Sequence, residues 1–166
     1  MILTKTEELE AGAATFVQSE LFARTFREGM ELVEETANYL DGEGREAAKG
    51  LSRDAALAYA GASMRLTTQL MQIASWLLVI RAVREGEMAL SEAGDVKYRI
   101  NGERDGAFAE AEGLPGRLTA LIDAAHQLYN RISRLDKDLF AEDGRAVEND
   151  AAGQQRALLK AFGQRA

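Results

Sequence analysis

Nothing between Arg53 and Glu85 interrupts a helix. The run holds no proline, Ser52 before it is a fitting N-cap and Gly86 after it is a stop signal. A single helix of that extent is about 50 Å long. Its most apolar part is GASMRLTTQLMQIASWLLVIRAV, residues 61–83. On a wheel of about 100° per residue, Leu57, Met64, Met71 and Leu78 fall on one line, joined by Ala60, Thr67 and Ala74. Tyr59, Leu66, Leu70, Ile73, Leu77 and Ile80 fall on a second line, roughly 130° around the helix. Two seams call for two sets of neighbours. The pattern predicts the central helix of an antiparallel three-helix bundle, touched by one other helix along each seam.

A third strip of the same helix carries Asp54, Arg65, Thr68, Gln69 and Gln72 and is expected to meet water. Trp76 and Val79 intrude on that strip toward its C-terminal half. An apolar patch there predicts that a second copy of the chain covers it, a homodimer with Met71, Ser75, Trp76, Leu78 and Val79 at its interface. The competing expectation is that the connector or the tail folds over the same spot.

The flanking helices follow from similar spacing. After Ser19, a second fitting N-cap, Phe22, Phe26, Met30, Val33, Ala37 and Leu40 recur at steps of three and four, and the Gly42 and Gly44 of LDGEG stop the helix. From Leu114-Pro115, a helix with Leu118, Leu121, Ile122, Ala125, Leu128, Tyr129, Ile132, Leu135 and Leu139 on one stripe is predicted. Residues 86–113 read as a connector with one short helix near Ser91. The bundle domain is placed at residues 1–140. Residues 141–166 read as a flexible C-terminal tail, because AEDGRAVENDAAGQQ is too polar to pack. Leu158, Leu159 and Phe162 then restore an apolar element close to its end.

Several classes of function are disfavoured. The chain has no cysteine, which excludes disulfides and thiolate metal sites and fits a cytoplasmic location. Its start lacks the basic end and apolar run of a signal peptide. A net charge of -7 opposes binding to nucleic acid. The 15 residues between Arg65 and Arg81 form the longest uncharged run, short of the roughly 20 apolar residues that span a bilayer. His126 is the only histidine. It has no second histidine to complete a helical di-metal site with Asp123 and no serine in a triad context, so neither a catalytic site, a metal nor a cofactor is expected.

The stretches SELFARTFREGMELVEETANYLDGEGRE and LAYAGASMRLTTQLMQIASWLLVIRAVREGE resemble the RcdA family, the regulators of CtrA degradation from alphaproteobacteria. SMRLTTQLMQIASWLL is a specific signal, and the helix from Leu114 to Phe140 is similar by pattern. The resemblance implies a helical-bundle dimer with no enzymatic activity. It implies an adaptor that delivers cell-cycle regulators such as CtrA to the ClpXP protease, acting with CpdR-like and PopA-like proteins.

An adaptor needs a rigid scaffold and separate binding surfaces rather than a reactive group. The candidate partner-binding residues are Arg65, Gln69 and Gln72 on the central helix, Arg131 and Arg134 on the third helix, and Leu158, Leu159 and Phe162 in the tail. The alternative reading is a structural oligomerisation module with no part in proteolysis.

Overall fold

The computed structural model describes residues 5–100 and 112–140. Every regular element among them is helical: α1 (Lys5–Val17), α2 (Glu20–Asp41), α3 (Glu43–Lys49), α4 (Arg53–Arg84), α5 (Leu90–Ala93), a 3-10 turn at Val96–Tyr98, and α6 (Gly116–Leu139). The three long helices α2, α4 and α6 pack on one another, with α4 against both of the others. α1 lies against α4 and α2, while α5 and the 3-10 turn lie against α4.

Local signals fix most of the boundaries. Ser19 Oγ accepts from the Phe22 amide at 3.2 Å and Ser52 Oγ from the Ala55 amide at 3.3 Å, satisfying amides that the first turn of a helix leaves without an intrahelical partner. Gly86 takes φ 78°, the left-handed conformation that suits glycine just beyond a helix end. Of the two glycines of LDGEG only Gly42 ends α2, and helical structure restarts at once in α3, which carries Gly44 as a buried residue of its first turn. α1 and α3 were not expected from the sequence: neither shows a strong apolar stripe.

The buried face of α2 is shifted from the predicted one. Its most enclosed residues are Phe22, Thr25, Gly29, Leu32, Thr36 and Tyr39, whereas Phe26, Met30, Val33 and Leu40 pack around the margin and Ala37 is exposed. Gly29 explains the shift. A Cβ there would collide with Leu77 Cδ1 of α4 and come within 3.7 Å of Ile73 Cγ2 of α4 and Leu128 Cδ2 of α6. The point at which all three long helices converge is therefore made by a residue without a side chain, which apolar periodicity does not register. α6 buries Leu118, Leu121, Ile122, Ala125, Leu128 and Ile132 from its predicted stripe, together with one acidic residue, Asp136.

Candidate functional site

The two seams of α4 have different fates. Leu66, Leu70, Ile73, Leu77 and Ile80 are buried, as are Ala62 and Trp76. The other line faces outward, with Leu57 66%, Met64 71%, Met71 66% and Leu78 52% exposed. Both neighbouring helices thus serve one seam, and the expectation of one helix along each seam is corrected. The exposed line has a strict seven-residue step, and Ala60, Thr67, Thr68 and Ser75 beside it are also largely exposed. Large side chains at heptad spacing among small ones form the kind of surface onto which a second helix packs closely.

The expectation for Trp76 is corrected as well. Trp76 is only 1% exposed, enclosed by its own chain. Its Nε1 donates to Asp136 Oδ1 of α6 at 2.9 Å. Arg99 Nε lies 2.8 Å from Asp136 Oδ2 and 2.9 Å from Oδ1, and the Arg99 guanidinium stacks over the Phe140 ring at 4.7 Å. The connector residues after α4 therefore fold back as a clasp that holds the end of α6. Asp136 itself is 3% exposed. A carboxylate is rarely so enclosed unless charged and hydrogen-bonding partners meet it, and here it has both. Val79 is half-buried and packs against the core. Of the five residues expected at an interface between copies, Met71, Ser75 and Leu78 remain exposed.

Among the partner-binding candidates, Arg65 and Gln72 are exposed on α4. Gln69 is half-buried, with its Oε1 enclosed and without a hydrogen-bond partner among the described residues. Arg131 and Arg134 lie on the outer side of α6, where they join Leu21, Arg24, Thr25 and Glu28 of α2 and Leu135 of α6 around a groove of about 430 Å³. Leu158, Leu159 and Phe162 lie outside the described residues. Sequence reasoning missed Leu21 and Arg24 in the groove. It also missed Leu57 and Met64 as surface residues, although their strict heptad step was a usable sign.

His126 and Asp123 are exposed on α6, and no group of three or more His, Asp or Glu is placed to hold a metal among the described residues. α4 is the one described helix long and apolar enough to cross a bilayer by length and composition. One side of it is occupied by α2 and α6, so its apolar surface without a neighbour among the described residues is the heptad line.

Three comparisons bear on this arrangement. The family described as "Protein of unknown function (DUF1465)" matches residues 13–162. A search of curated proteins finds no match. Among solved structures, the crystal structure of RcdA from Caulobacter crescentus CB15 is similar at 53% sequence identity with a TM-score of 0.65, covering 77% of this chain and 98% of that one.

Proposed function

Because this chain belongs to the RcdA family, we propose that it is a non-enzymatic cytoplasmic adaptor that works as a homodimer and delivers regulatory proteins to the ClpXP protease. CtrA-like proteins would be its cargo, and CpdR-like and PopA-like proteins would act with it. The observation that carries the reading is the 53% identity to RcdA over 98% of that chain.

The exposed line on α4 supports the dimer. Residues 57 and 78 are equidistant from the midpoint between Thr67 and Thr68, and so are residues 64 and 71. A two-fold axis at that midpoint would set Met64 against the partner subunit's Met71 and Leu57 against the partner subunit's Leu78, in an antiparallel helix pair. The surface is self-complementary under that operation, as a symmetric dimer requires. Covering each of these side chains would contribute on the order of 1–2 kcal/mol. The strict seven-residue step matches a left-handed crossing of the two helices.

The adaptor reading is tested by reconstituted degradation. ClpXP, a CpdR-like protein, a PopA-like protein and a labelled CtrA-like cargo are combined with and without this chain. Faster cargo loss on its addition is the expected result. An unchanged rate with every partner present would reject the adaptor and leave the oligomerisation module.

A further inference from the structure

We propose that the groove between α2 and α6 binds an acidic segment of a partner polypeptide that carries an apolar anchor residue. The inference deepens the adaptor reading by naming the chemistry of what is bound. The groove is lined by Leu21, Arg24, Thr25 and Glu28 from α2 and by Arg131, Arg134 and Leu135 from α6, and by no residue of α4. It is therefore separate from the heptad line, and both surfaces can be occupied together.

Its charge runs against that of the whole chain. The lining holds three arginines and one glutamate, a local balance of +2, in a chain of net charge -7. Glu28 is held by Arg131 across the groove at 2.5 Å. Arg24 and Arg134 have no ion pair or hydrogen bond among the described residues, and both are exposed. Two free guanidiniums flank the apolar part. Leu21 is 49% exposed and Leu135 is half-buried, and together they form the apolar part of the lining. Thr25 contributes no free donor, because its Oγ1 already donates to the Leu21 carbonyl of its own helix at 2.9 Å.

The two ends of α2 have opposite character. The depression near its C-terminal end is lined by Glu31, Glu34, Glu35 and Glu43 with a single arginine, Arg117, which lies within ion-pair distance of Glu35 and Glu43. An acidic ligand is repelled there and attracted to the Leu21 groove. Carboxylates of the ligand would pair with Arg24 and Arg134, where a planar guanidinium can make two parallel hydrogen bonds. An aliphatic or aromatic side chain of the ligand would cover Leu21 and Leu135.

The test uses the full chain and a fluorescein-labelled peptide alternating Glu and Leu, followed by fluorescence anisotropy. Lys/Leu and Glu/Ser peptides serve as controls. Saturable binding of the Glu/Leu probe is expected, weakened by added salt and about tenfold or more by R24E/R134E. Leu21→Ser should weaken it independently. Arg24 and Arg134 are exposed and make no ion pair or hydrogen bond among the described residues, so far-UV circular dichroism of R24E/R134E should match the parent. Equal binding of the Lys/Leu probe, or Glu/Leu binding indifferent to R24E/R134E, would overturn the proposal. So would much tighter probe binding by L158S/L159S/F162S, which would identify the chain's own C-terminal segment as the occupant. No protease is present in this assay, so its failure is distinct from failure of the adaptor reading.

Discussion

Trp76 Nε1 donates a 2.9 Å hydrogen bond to Asp136 Oδ1 across the contact between α4 and α6, and both side chains are buried. That bond, with Arg99 on the same carboxylate, is where the connector, the central helix and the last helix are tied together. It also turns the most conspicuous apolar residue of the sequence into a core residue with a polar anchor, the arrangement that an indole N–H requires when buried.

Removing the carboxylate should therefore loosen the connector. Asp136→Ala leaves the Arg99 guanidinium and the Trp76 N–H without their acceptor and is expected to destabilise the fold by about 3–5 kcal/mol. Asp136→Asn keeps an acceptor for Trp76 and should lose less. Urea unfolding followed through the single tryptophan checks both. Equal stability of D136A and the parent would contradict the clasp.

Gly29→Ala should be destabilising although alanine favours helices, because its Cβ would meet Leu77 Cδ1. Overpacking of this kind costs about 1–3 kcal/mol. In a Leu77→Ala background the obstructing methyl is gone and the added cost should shrink toward zero. A double-mutant cycle with no coupling between the two sites would show that the helices do not converge there.

Met71→Glu should shift a dimer to monomer, with the dissociation constant raised by about tenfold or more, while the helical circular dichroism spectrum is retained. If the two α4 helices run antiparallel about the Thr67–Thr68 midpoint, M64K/M71E restores the dimer by placing opposite charges together. In a parallel pair the same double variant sets like charges together and stays monomeric. Sedimentation equilibrium distinguishes these results, and a parent chain that is monomeric at micromolar concentration rejects the dimer.

Alkaline pH should weaken the fold through Tyr39 and Tyr129. Both hydroxyls titrate above their ordinary value of 10.0. Burial is the main cause in each. For Tyr39, neighbouring Tyr59 and Glu43 add to it and Arg117 opposes it, and for Tyr129 the Asp136 charge adds to it. The folded state keeps these phenols neutral while the unfolded chain ionises from about pH 10, so the unfolded state binds fewer protons there. The stabilisation is complete below that pH and is lost as pH rises through the folded values. Urea midpoints at about pH 8 and about pH 11 should differ less in Y39F/Y129F than in the parent. An undiminished fall would assign alkaline sensitivity to other groups.

The C-terminal candidates Leu158, Leu159 and Phe162 are tested by triple substitution with serine. If they dock onto a partner, the thermal midpoint should stay within about 2 °C of the parent, corresponding to a change under roughly 0.5 kcal/mol. Cargo degradation should fall. An unaltered degradation rate rejects the docking role.

Helical class, the caps at Ser19 and Ser52, the stop at Gly86 and the buried stripe of α6 were legible because each is set by neighbours a few residues apart in the chain. The seven-residue order of Leu57, Met64, Met71 and Leu78 was legible too, but not which way it faces. Periodicity marks an apolar line without saying whether α2, α6, the connector or another molecule covers it. The groove illustrates the same limit: Arg131 and Arg134 stand out on α6, yet Leu21 and Arg24 join them only across the contact with α2.

The sequence by itself thus determined a helical chain of the RcdA family with more apolar surface on one helix than its own neighbours need. Only the tertiary structure decided that Trp76 lies inside and the heptad line outside. The absence of a side chain at Gly29 lets α2 close on α4, and the Asp136 carboxylate draws Arg99 and Trp76 together across distant parts of the chain. Helix formation depends on residues a few positions apart, whereas burial depends on which distant surfaces meet.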